Sequence, residues 1–208
     1  MSLLNPLRLD VSALDSSPLP LDLELVKEHL AVDGDDNDAL IQTFIRASIL
    51  WAEGQMHRTI YARSHSWVLR DFPRDCYGEI RLPRGKTQSV ESIVYSVNGS
   101  PVTLTGPSSG SPAGTDYQED LRGDDGGVLM PARGSTWPSP DLDAVSPVVI
   151  NFTAGYLAAE VPDEIIHGLL FSCSDAFELR GSGDMTMFGR NFETRQLLIS
   201  PYRLKRFY

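Results

Sequence analysis

The hydrophobic period of this chain changes twice, and that change restricts the fold more than any single motif. Apolar residues recur at helical spacing up to about His57, alternate with period two from about Ser64, and return to helical spacing after Pro162. Asp22 is placed to cap a short helix over 22–31, with Glu24 in its first turn. A longer helix is predicted over 38–57, where Leu40, Ile41, Phe44, Ile45, Ile49, Trp51 and Ala52 recur at helical spacing. A third is predicted over 162–180: Pro162 suits the first helical position, and Gly181 is placed to end the helix.

Between them, 64–153 reads as a small antiparallel β-rich insertion. Its clearest signal is Asn98-Gly99 between two β-rich runs, a two-residue hairpin turn whose central residues must both accept positive φ. Residues 1–20 read as an extended N-terminal segment. The expected class is therefore α+β: a helical core carrying a β insertion, with 21–181 as the main domain.

Residues 182–208 are expected to form a hinge followed by an extended C-terminal arm. The last nineteen residues carry five basic side chains (Arg190, Arg195, Arg203, Lys205, Arg206) and one acidic (Glu193), a net charge of +4. The other 189 residues hold thirteen basic against twenty-seven acidic side chains, or −14. With Phe192, Leu197, Leu198, Ile199, Tyr202, Phe207 and Tyr208 interleaved, this stretch reads as a docking arm on an acidic body. Fixing nineteen residues costs on the order of 1–2 kcal/mol each. Burying six large apolar side chains returns roughly 1.5–3 kcal/mol apiece, so one arm binds weakly and several held in one assembly bind tightly.

The charge of −10 argues against a body that clamps nucleic acid. No apolar run approaches the eighteen residues of a membrane span, and the N-terminus has no signal-peptide pattern. Cys76 and Cys173 stand in no metal or redox spacing and suit a reducing cytosol, so the sequons at Asn98 and Asn151 read as chance matches.

Catalytic and metal patterns fail on their details. Asp33, Asp35 and Asn37 open like a calcium loop, but Asp38 stands where glycine is needed and Phe44 where a bidentate glutamate is needed. They read instead as a solvated turn capping the next helix. Gly106-Pro-Ser108-Ser-Gly110 spells a nucleophile elbow without the strand and helix that must flank one. The four histidines share no ligand spacing, and Arg122-Gly123-Asp124 reads as a hairpin turn. The expectation is a non-enzymatic protein with no catalytic residue, metal or cofactor.

Four stretches in this order resemble the head-to-tail connector (adaptor) proteins of long-tailed phages and related gene transfer agents. They are Pro20–Val32, the acidic run with the helix start Asp38-Ala-Leu-Ile, Ile80–Ile93, and Val149–Tyr156 leading to Val161-Pro-Asp. The resemblance implies a virion protein, made in the host cytoplasm, that forms a ring, typically twelvefold, beneath the portal protein. A neck or tail protein would bind its distal side, and genome DNA would pass through the channel without sequence-specific binding. It also implies a C-terminal arm that grips the portal, which matches the reading of Arg190–Tyr208. Two alternatives stay open: another neck component, such as a stopper or tail-completion protein, and a regulatory module whose basic tail touches nucleic acid.

Overall fold

The computed structural model describes residues 6–14, 21–74, 77–107, 114–180 and 185–204, with the backbone alone for 185–191. The chain is a mixed α and β protein of two compact units: a helical one, 14–61 with 156–204, and a β unit built on 62–155 and the N-terminal strand.

In the β unit, strands β1 (Pro6–Val11), β2 (Arg63–Leu69), β4 (Thr87–Val97), β5 (Ser100–Thr103) and β8 (Val148–Ala154) form one antiparallel sheet, ordered β1-β2-β8-β4-β5. A second sheet pairs β3 (Ile80–Arg81), β7 (Val128–Pro131) and β6 (Tyr117–Asp120) in the order β3-β7-β6. β8 alternates strictly, burying Val148, Ile150, Phe152 and Ala154. Across from them lie Trp67 and Ile93, with Ile80, Leu82 and Leu129 in the same core. Trp137 stacks on Phe72 at 4.9 Å, and its indole N–H donates to the Gly78 carbonyl. Asn98 and Gly99 make the hairpin turn at φ of 50° and 73°.

Two sequence expectations change here. The N-terminal segment is not merely a lead-in, because Pro6–Val11 pairs along β2 and becomes an edge of the larger sheet. The β region is more than a small insertion in a helical core, since its two sheets enclose a core of their own.

The helical unit contains α1 (Leu23–Leu30), α2 (Asp38–Met56), α3 (Asp163–Leu179) and α4 (Met185–Ile199). Asp22 Oδ1 accepts the Glu24 N–H at 3.2 Å and caps α1. Ile41, Ile45, Ile49, Ala52 and Met56 of α2 meet Ile165, Leu169 and Cys173 of α3 in one apolar core with Val26 of α1. Within this unit Tyr61 and Tyr156 pair as an isolated parallel bridge, at the points where the chain leaves and re-enters it. Glu53, buried, accepts the Ile60 N–H at 2.9 Å, and Arg58 donates to the Tyr156 hydroxyl at 2.9 Å.

Candidate functional site

The predicted docking arm is the place to look for function, and its described part is built differently from the expectation. Residues 185–199 form helix α4, which packs along α3. Ser200–Tyr202 then makes a single 3-10 turn, into which Pro201 fits because a first-turn position needs no N–H donor. The extended arm expected beyond Gly181 is therefore corrected to a docked helix and turn. The hinge expected over 181–189 is corrected in its second half, since 185–189 belongs to α4; residues 181–184 and Lys205, Arg206, Phe207 and Tyr208 lie outside the described residues.

The reason is a set of inward-facing side chains that a period count ending at Gly181 could not include. Ile199 is 1 % exposed and fits against Gly168 of α3, where an added Cβ would stand 3.2 Å from its Cγ2. Arg195 is 4 % exposed; its Nη2 lies 3.2 Å from Oδ2 of the equally buried Asp175, and its Nη1 donates to Ser172 Oγ at 3.0 Å. The guanidinium also sits over the Trp51 ring at 5.0 Å. Burial pulls the Arg195 pKa down while the Asp175 carboxylate pulls it up.

The end of the described chain is pinned as well. Arg58 Nε donates to the Tyr202 carbonyl at 3.1 Å, the Tyr202 hydroxyl donates to Glu164 Oε2 at 2.8 Å, and the Leu204 N–H donates to the Met56 carbonyl. Burial, then the Glu164 hydrogen bond, push the Tyr202 phenol up to about 12.

The twelve predicted residues thus fall into groups. Arg195 and Ile199 face inward. Leu198 and Tyr202 are half-buried. Phe192 is partly exposed, edge-on to Trp51 at 6.4 Å; Leu197, 73 % exposed, and Arg203 face outward. Arg190 lies on α4, its side chain outside the described part. The outward candidates within the described residues are therefore Phe192, Leu197 and Arg203, at the base of the tail 205–208.

The acidic run is also built differently. Lys27 of α1, only 6 % exposed, places its ammonium 3.1 Å from Asp35 and Asp38 and 3.5 Å from Glu24. Asn37 makes no side-chain cap, so these carboxylates hold a lysine in place of capping α2. The hydrogen bonds that the Lys27 ammonium donates to Asp35 and Asp38 raise its pKa above its ordinary value. The run borders an open acidic cleft of about 670 Å³ lined by Asp22, Glu24, Lys27, Glu28, Asp33 and Asp35. Nothing in the sequence pattern linked Lys27 to it, because the pairing depends on the turn between α1 and α2.

Ser108 lies outside the described residues, and the next element after its loop is strand β6, not the helix an elbow requires. Arg122-Gly123-Asp124 occupies the connection between the paired strands β6 and β7, where Arg122 pairs with Asp120 at 2.8 Å. Among the described residues no three His, Cys, Asp or Glu side chains are grouped to hold a metal, and no helix is long and apolar enough to cross a membrane.

No family model matches the sequence, and no curated protein matches it. Solved structures do. A chain in the neck of an empty gene transfer agent particle, computed with C6 symmetry, superposes with a TM-score of 0.71 at 19 % identity, over 97 % of this chain and 98 % of that one. The fold is shared with a gene transfer agent neck chain. Chains from the virion of the native particle (TM-score 0.70) and from its neck computed with C12 symmetry (0.68) match over the same shares, each at 20 % identity. The likeness covers nearly the full length of both chains, so it takes in the β unit and the helical unit together.

Proposed function

We propose that this protein is a structural virion component of a phage or gene transfer agent neck, acting as the head-to-tail adaptor. It forms a homo-oligomeric ring under the portal protein, extends the DNA channel, and offers its distal side to the next neck or tail protein. The observation that carries this reading is the near full-length fold match to chains of neck assemblies computed with C6 and C12 symmetry. The acidic composition supports it, because a negative wall repels passing phosphates and lets DNA slide. The role is non-enzymatic.

The portal-facing surface in this proposal is the outward side of α4, through Phe192 and Leu197, with Arg203 and the tail Lys205–Tyr208. Arg195 and Ile199 support that surface from behind, by holding α4 on α3. The test is a pair of chains supplied during particle assembly, one intact and one lacking residues 203–208. The intact chain enters the neck, where imaging finds it as a ring next to the portal. The truncated chain stays soluble and folded, yet yields heads without tails or heads that lose DNA. Infectious particles of normal yield from the truncated chain would overturn the docking assignment. An intact chain found away from the portal would favour a stopper or tail-completion role.

A further inference from the structure

Arg58 is 3 % exposed, although arginine is almost never fully buried without partners. Its place follows from the local backbone: α2 ends at His57, which closes the helix at a φ of 56°, and the next side chain turns inward. There the guanidinium lies 5.7 Å from the centre of the Tyr156 ring, and Nη1 donates to the Tyr156 hydroxyl at 2.9 Å. Nε donates in another direction, to the Tyr202 carbonyl at 3.1 Å, across 144 residues of sequence. One side chain thus joins the end of α2, the point where the chain re-enters the helical unit, and the turn that follows α4.

Stability alone does not call for an arginine here. A buried cation carries a heavy desolvation cost, and an apolar side chain of similar volume often serves a core as well or better. What an apolar side chain cannot do is hold a carbonyl in place. A lysine could not do it in this way either. The guanidinium presents its Nε and Nη1 donors along fixed, separate directions, whereas an ammonium is one compact point on a flexible stem.

The carbonyl that Arg58 holds is the first of a consecutive series. The Arg203 N–H donates to the Ser200 carbonyl at 3.1 Å, and the Leu204 N–H donates to the Met56 carbonyl at 2.9 Å. The Tyr202 side chain is tied separately, through its hydroxyl to Glu164 at 2.8 Å. Main-chain groups of Tyr202, Arg203 and Leu204 are therefore all bound, two of them to the α2 terminus at Met56 and Arg58. The helical unit sets the position and direction of the backbone at Leu204.

We infer that Arg58 is a positioning residue for portal docking: by holding the Tyr202 carbonyl it presents the basic segment Lys205–Tyr208 to the portal from a fixed root. The inference rests on the docking role proposed above for that segment. Arg58 is buried and makes no portal contact of its own. A binding segment whose root is held in place before contact loses less freedom on binding. Releasing the root therefore weakens the docking of one arm without removing any contact to the portal.

The test is a double-mutant cycle, read as equilibrium binding to immobilised portal protein per folded molecule. In the full chain, Arg58→Met weakens binding about tenfold. In a chain ending at Leu204, which has lost the segment, the same substitution has no further effect. Leu204→Pro removes the N–H that bonds Met56, releases the root from the other side, and gives a similar loss; it carries the test if Arg58→Met does not fold. Native binding by full-length Arg58→Met, when truncation does weaken binding, would overturn the inference and leave the docking role standing. An equal loss from Arg58→Met in both backgrounds would also overturn it, since Arg58 would then act through general packing. Truncation without effect on portal binding would remove the docking role and the inference with it.

Discussion

At the scale of single residues, three buried polar groups make testable contributions to stability: the Arg195–Asp175 pair and His65. Arg195 and Asp175 form an ion pair with almost no solvent contact. Removing one member leaves the other charge buried alone, at a cost of about 3–5 kcal/mol. Arg195→Ala should lower unfolding stability by that order in urea titration followed by helical signal. Arg195→Met with Asp175→Leu should recover most of the loss, because no charge is then stranded. His65, in the β unit, is 2 % exposed and stacks on Phe152 at 5.2 Å. Burial lowers its pKa to about 4, against an ordinary 6.5. The neutral ring, with Nδ1 2.7 Å from the Arg63 carbonyl, donates its proton there. Above pH 6.5 both folded and unfolded forms are neutral, so this histidine imposes no penalty. As pH falls from 6.5 towards 4 the unfolded chain takes up the proton first, and stability drops by ~1.4 kcal/mol per unit. A pH series of denaturation midpoints should show that decline in the native chain and a shallower one in His65→Phe. Equal slopes would remove His65 as the cause.

At the scale of elements, α4 is both a packed helix and the base of the proposed docking tail, and its two sides should respond to substitution differently. Ile199→Ala removes a fully buried side chain beside Gly168 and should cost ~2–5 kcal/mol. Leu197→Ala removes an exposed one and should leave stability within about 0.5 kcal/mol. In a portal pull-down the order should reverse for folded protein: Leu197→Ala loses binding, and Ile199→Ala loses it only in proportion to the unfolded fraction. Portal binding unchanged in Leu197→Ala would take the outward face of α4 out of the interface. The basic tail should act through rate. Lys205→Ala with Arg206→Ala should slow association at low salt, with the deficit shrinking as screening increases.

At the scale of the whole molecule, a chain this acidic should not close a ring by itself. Sedimentation at micromolar concentration should find monomer or a weak oligomer, and added portal should be needed for the ring. A stable, monodisperse ring of the free chain would contradict this. The −14 carried outside the last nineteen residues opposes self-assembly and is screened by salt, so any ring should form more readily as ionic strength rises.

What the sequence alone determined is local. Asp22 as a cap and Asn98-Gly99 as a hairpin turn act through neighbours within a few residues, and the structure contains both of them. The mixed α and β character follows from the same periodicities. The catalytic and metal patterns failed on short-range requirements, the missing glycine of a calcium loop and the missing helix of an elbow. Tertiary structure alone decided where long-range partners lie. Pro6–Val11 is a strand only because β2 lies beside it, and Lys27 gathers the acidic run only because α1 and α2 turn back on each other. The same holds for α4. Its apolar pattern is weak, and basic residues read as surface until Asp175 is brought within 3.2 Å of Arg195. A buried charge is legible only once its partner is known, and that partner stands twenty residues away on another helix.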